Sequence, residues 1–141
     1  TAVEFSARAG LPPTQTCIGC HGEGQILSQS PRLAPMRESW KSGLPIPWVN
    51  VHRLPDYVYF NHAAHVNRGV DCLSCHGNVA GMGVVREVQP LTMAWCLQCH
   101  RQPEKFLRPS TDAALNCPFS IAAPASVSGV SPPVSCGGCH R

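Results

Sequence analysis

The sequence predicts a mostly irregular chain with short α-helices, folded as a single compact domain over residues 1–141. Two observations predict it. The first is punctuation: 14 prolines and 12 glycines in 141 residues interrupt long helices and keep strands out of sheet interiors. The second is cysteine. Eight of the nine cysteines fall in four copies of one five-residue pattern, each closed by a histidine. A chain this short and this poor in regular structure needs a staple beyond its own apolar side chains. The repeated pattern is the obvious place to look for it.

The four copies are Cys17-Ile-Gly-Cys20-His21, Cys72-Leu-Ser-Cys75-His76, Cys96-Leu-Gln-Cys99-His100 and Cys136-Gly-Gly-Cys139-His140. Cys-x-x-Cys-His is the attachment signature of c-type haem. Two thiols about one helical turn apart reach the two vinyl groups of a porphyrin, and the adjacent histidine sits beneath the iron as its proximal ligand. Zinc ribbons need four ligands per metal and do not require a histidine after every cysteine pair. A disulfide framework has no use for that histidine, and a thioredoxin-like pair is a single motif in a βαβ setting. The expectation is four covalently bound haem c groups, held by Cys17, Cys20, Cys72, Cys75, Cys96, Cys99, Cys136 and Cys139. The proximal ligands would be His21, His76, His100 and His140.

Four haems leave about 35 residues for each, well below an ordinary domain core per ligand. The porphyrins must therefore supply much of the apolar interior, giving a compact multihaem cytochrome c fold. Irons packed so densely can exchange electrons, so the product expected is a wire that makes and breaks no substrate bond of its own.

Three histidines remain for the distal side. His62 and His65 are three apart, so on a helical turn they project from one side with only alanine between them. Such a pair can clamp two neighbouring irons. His52 follows a Pro-stiffened extended stretch, Pro45 to Val51, and is a third candidate. Three distal histidines do not serve four irons. Met93, three residues before Cys96, is the best thioether candidate, ahead of Met82 and Met36. Methionine is also a common gap-filler, but as a ligand it raises the haem potential above that of a bis-histidine neighbour. Otherwise the fourth position is open or filled from outside the chain.

Along the chain, residues 1–30 read as loop around the first motif, 33–42 as a short helix stopped at Gly43, and 44–56 as extended. Residues 57–60 suit either a short strand or an aromatic wall. Short helices are expected around 72–76 and 94–101, and residues 108–135 read as a meandering loop. Cys117 has no Cys-x-x-Cys partner and is assigned no role.

Charge excludes some classes. Eleven Lys and Arg against eight acids give +3, with no basic stripe of the kind a nucleic-acid binder shows. No stretch reaches the roughly 18 apolar residues of a membrane span. The chain begins at Thr1 without a leader, which suggests a processed form or a segment of something longer. Haem attachment by this motif takes place outside the cytoplasm, so the periplasmic face of a membrane is expected. The chain would be held there by partners or by an N-terminal segment preceding Thr1.

Several stretches together resemble one family. They are Leu11-Pro12-Pro13-Thr14-Gln15-Thr16-Cys17, Arg37-Glu38-Ser39-Trp40, Pro45-Ile46-Pro47-Trp48-Val49-Asn50-Val51-His52, Leu54-Pro55-Asp56-Tyr57-Val58-Tyr59-Phe60-Asn61-His62 and Met93-Ala94-Trp95-Cys96. They look like the multihaem cytochrome c subunit of alternative complex III, a quinol oxidoreductase that replaces the cytochrome bc1 complex in some bacteria. The clamp Phe60-x-His62-x-x-His65 is also similar to that of class III (c3 and c7) cytochromes. The resemblance implies an electron-transfer subunit, not an enzyme by itself. Its partners would be the other subunits of a membrane quinol-oxidising complex and a soluble or membrane-bound acceptor. The family subunit usually carries a further clamp and a further haem motif upstream, which implies that a histidine before Thr1 can supply the missing distal ligand. The alternatives are a filament-forming or free tetrahaem cytochrome, and a multihaem reductase of the nitrite or hydroxylamine type.

Overall fold

In the computed structural model, which describes residues 2–107 and 129–140, helices are short and no sheet forms among the described residues. Among the described residues six α-helices follow in order: α1 (Thr14–His21), α2 (Ala34–Ser42), α3 (His62–Val66), α4 (Cys72–His76), α5 (Met93–Arg101) and α6 (Cys136–Cys139). Single 3₁₀ turns lie at Ala2–Glu4, Pro31–Leu33, Val79–Gly81 and Pro103–Lys105. Extended pairing among the described residues is limited to two isolated antiparallel bridges, Val58 with His140 and Val70 with Leu107. The fold class read from the proline and glycine content is the one observed.

Several helices begin or end where the sequence provides a cap or a stop. Helix α2 closes on Gly43 at φ 70°, the left-handed conformation that glycine adopts without a Cβ penalty. The Asn61 side chain accepts from the Ala64 amide at 3.1 Å to start α3. Asp71 accepts from Leu73 at 2.9 Å to start α4, and Thr92 from Trp95 at 3.3 Å to start α5. These caps satisfy amide donors that a short helix would otherwise leave orphaned. Helix α1 corrects the reading of residues 1–30 as loop. Its N-cap is Pro13, extended at φ −64° and ψ 151° and with no side-chain cap, and the helix begins at the next residue.

The described residues gather into two compact units, one of residues 10–50 and one of residues 1–9 with 51–141. In the first, α1 packs on α2, and the Thr14 and Ser39 hydroxyls meet at 2.8 Å. Ser39 also donates to the Leu44 carbonyl. In the second, the N-terminal turn packs on α3, with the Asn67 amide donating to the Glu4 carbonyl at 3.0 Å. Cys117 and most of the expected loop over 108–135 lie outside the described residues.

Neither unit builds an ordinary core. Among the described residues Met36, 5% exposed, is the one buried hydrophobic side chain, while Trp40, Trp48, Tyr57, Tyr59 and Phe106 stay largely exposed. Side chains alone do not provide the apolar burial that holds a domain of this size together.

Gly77, directly after α4, has φ 65° and ψ −171°, a region open essentially to glycine alone. A Cβ there would come 2.7 Å from Val88 Cγ2. Gly77→Ala is therefore expected to destabilise the haem-loaded protein by about 1–3 kcal/mol, read as a lower denaturant midpoint. An unchanged midpoint would show that this turn is not held as described.

Candidate haem-ligating site

The attachment motifs occupy the ends of helices or whole helical turns: the first closes α1, the second makes up α4, the third lies in α5, and the fourth spans α6 with His140 just beyond it. Helical geometry at three-residue spacing sets the two cysteines of each pair on one face. None of these eight cysteines forms a disulfide. Among the described residues no three of His, Cys, Asp or Glu come together as a group that could hold a metal ion.

The ring nitrogens are anchored in a consistent pattern. His21 Nδ1 lies 2.8 Å from the Ile26 carbonyl and His100 Nδ1 2.7 Å from that of Pro133. In the clamp, His65 Nδ1 lies 2.7 Å from the Asn61 carbonyl and His62 Nδ1 3.2 Å from that of Ala7. A carbonyl only accepts, so each of these Nδ1 atoms donates its proton and leaves Nε2 as a lone pair. That is the tautomer an iron ligand needs, fixed from the far side of the ring.

The clamp faces the proximal histidines. His62 and His76 lie with ring centroids 6.5 Å apart and planes inclined by only 4°. His65 and His100 lie 6.1 Å apart at 37°. Two imidazoles on opposite faces of one iron have centroids about 6 Å apart, from two metal–nitrogen bonds of about 2 Å and the ring radii. Both pairs match that separation, and direct stacking of rings would be closer. The donor set therefore fits haem. Phe60 braces the clamp, edge-on to His62 at 4.7 Å and stacked on His65 at 4.6 Å.

Burial lowers the affinity of both His65 and His76 for a second proton. At His65 the Asn61 carbonyl partly offsets burial, and His100 and His62 add to the lowering. At His76 the contributions after burial are His52 and then His62. Both effects favour the neutral ring. Burial likewise raises the Cys75 thiol, with further contributions from Cys99 and Cys96 as well as its own partner Cys72. Cys139 acts on Cys96 in the same direction, after burial. The second and third motifs thus lie beside the same clamp, and the Pro133 segment leading to the fourth is held to His100.

The fourth motif is seated by backbone. Val58 bridges His140, the Tyr59 amide donates to the Cys139 carbonyl at 2.7 Å, and the Tyr57 ring lies 5.7 Å from His140. Residues 57–60 form no strand: Val58 makes a single isolated bridge, and the Tyr57 ring lies beside His140. Gly138 allows Pro133 to approach, since a Cβ there would fall 2.5 Å from Pro133 Cβ. The Pro133 carbonyl then holds His100.

The methionines separate by burial. Met36 is enclosed by protein, Met82 Cε packs beside Gly77, and Met93 is 64% exposed at the start of α5. His52 lies against His76, its Nε2 3.3 Å from Nδ1. The sequence reading missed the carbonyls of Ile26, Ala7 and Pro133, which no residue type announces. The capping role of Asn61 was legible in an Asn directly before a helical turn.

The model for cytochrome c7 and related cytochrome c matches residues 58–141, more than half of the chain. The chain belongs to this family. Membership in the cytochrome c7 family implies covalently attached haem c and supports electron transfer. The chain is also similar to the multihaem cytochrome c subunit of menaquinone reductase from Nitratidesulfovibrio vulgaris (strain Hildenborough). The two are 41% identical over 74 residues, which is 52% of this chain and 33% of that protein. The chain thus covers about a third of the length of that relative.

His65→Ala in the haem-loaded protein is expected to convert one iron from low to high spin, seen in the ferric EPR spectrum, with haem content unchanged. A fully low-spin spectrum would separate His65 from the iron.

Proposed function

We propose that this cytochrome is a tetrahaem electron-transfer subunit at the periplasmic face of a membrane, passing electrons between a quinol-oxidising complex and an acceptor protein. One observation carries the reading: two histidine pairs stand at axial-ligand separation beside motifs that are themselves neighbours. Clamping both irons from one helical turn holds adjacent haems close.

When bound, each haem supplies a one-electron ferric–ferrous couple. The chain's own residues attach it, orient it and set its surroundings. Cys17 and Cys20, Cys72 and Cys75, Cys96 and Cys99, and Cys136 and Cys139 would hold the haems through thioethers, with His21, His76, His100 and His140 as their histidine ligands. His62 would complete the iron of His76, and His65 that of His100. For the iron of His140 we assign Met93. It shares a helical face with Cys96, three residues on, and Cys96 neighbours Cys139. A thioether there would give the last haem of this series a higher potential than its bis-histidine neighbours.

Two strands support the complex. The resemblance in the connecting residues points to the cytochrome subunit of alternative complex III, and the Nitratidesulfovibrio relative bears the name of a menaquinone reductase subunit. Both link this type of chain to a quinone-reactive complex. No described helix is long and apolar enough to cross a membrane, so on this reading the quinone chemistry belongs to partner subunits.

The test combines composition and reactivity. Intact mass should give four covalent haems, and quinol should reduce them only when the membrane partners are present. Met93→Ala should abolish a methionine–iron charge-transfer band. Turnover of nitrite or hydroxylamine by the isolated chain would contradict the electron-transfer reading and favour a reductase.

A further inference from the structure

We propose that His52 is a positioning residue for His76, acting as the hydrogen-bond acceptor that fixes the ring of an iron ligand, rather than as an iron ligand itself. The inference rests on the reading of His76 as a haem ligand and goes beyond it.

Five histidines assigned to iron are anchored through Nδ1. Four of them, His21, His62, His65 and His100, donate to backbone carbonyls at 2.7–3.2 Å. The fifth, His76, meets a side chain: its Nδ1 lies 3.3 Å from His52 Nε2. The rings stand edge to face, 85° between planes and 4.4 Å between centroids.

The proton count decides the roles. His76 must present a lone pair at Nε2 to bind iron, so its single proton sits on Nδ1 and is donated. His52 Nε2 is then the acceptor, and the His52 proton lies on its own Nδ1. An Nε2 lone pair engaged in this way is not available to a metal. The distal-ligand role that its residue type suggested for His52 gives way, on this proposal, to an outer role.

The arrangement has a use. His62 faces His76 with planes only 4° apart, and that alignment requires the His76 ring not to rotate about its bond to the chain. An acceptor on Nδ1 stops the rotation and strengthens the ring as a donor to iron, which favours the ferric state. The other anchored rings receive this from carbonyls that no substitution removes. At His76 it comes from a side chain, at the end of the Pro-stiffened stretch 45–51.

The test uses the haem-loaded full chain with His52→Ala, His52→Asn and His62→Ala, each checked for haem content by intact mass. The expected result for His52→Ala is that every iron keeps the spin state of the parent, while one midpoint potential rises and the others stay. Asn offers an amide oxygen to the His76 N–H and should return that potential toward the parent value. A new high-spin ferric signal in His52→Ala would overturn the proposal, because it would make His52 an iron ligand. Unmoved potentials in His52→Ala would also overturn it, by removing any influence on the haem. If His52→Ala does not load all its haems, His52→Asn carries the test. A low-spin spectrum with a near-parent potential supports the outer role, and a high-spin iron contradicts it. His62→Ala separates the underlying reading: a newly high-spin iron upholds the His62–His76 pair, and an unchanged spectrum means that pairing fails, not the role of His52.

Discussion

An imidazole that is to bind iron through one nitrogen must have the other one occupied, and the rest of this fold follows from how that is done. Two of the partner carbonyls lie far along the chain, Ala7 for His62 and Pro133 for His100, while those for His21 and His65 are local. Each of the two long-range hydrogen bonds therefore fixes a tautomer and also closes a long loop. The N-terminal turn is held against the clamp helix by the His62 contact and by Asn67 on Glu4. The segment before the fourth motif is held against the third by the His100 contact. Ligand geometry and tertiary structure are one set of bonds.

This explains how a chain with so little interior of its own is organised. A side chain as large as Trp48 stays half exposed, while Met36 alone among the described hydrophobic residues is buried. Porphyrins attached at eight thioethers and clamped between histidine pairs would supply the apolar mass and the cross-links that a longer domain draws from packed helices. The local devices are matched to that task. Capped helical turns place each cysteine pair, Gly77 turns the chain away beneath the second motif, and Gly138 brings the fourth against Pro133. The bridge from Val58 to His140 sets the last motif beside the clamp segment.

Much of this was legible in the sequence because haem attachment has a rigid local grammar. The helical turns at Cys72–His76 and His62–Val66 stand where spacing put them, and α2 stops at Gly43 for the reason its sequence suggests. The helix at Thr14–His21 was missed because residues 1–30 read as loop around the first motif, although Pro13 can stand as the residue before a helix. The carbonyl anchors were not legible at all, since every residue owns a carbonyl and only the fold selects one. His52 shows the same limit from the other side. Its residue type suggested a ligand, and only its distance to His76 indicates that it serves another ligand.

The most direct measurement of this account is an experimental structure of the haem-loaded chain, read at the iron atoms of the second and third motifs. The account predicts His62 opposite His76 on one iron and His65 opposite His100 on the next, with every ligand Nδ1 still on its protein partner. A structure in which His62 and His65 coordinate other irons, or none, would contradict it.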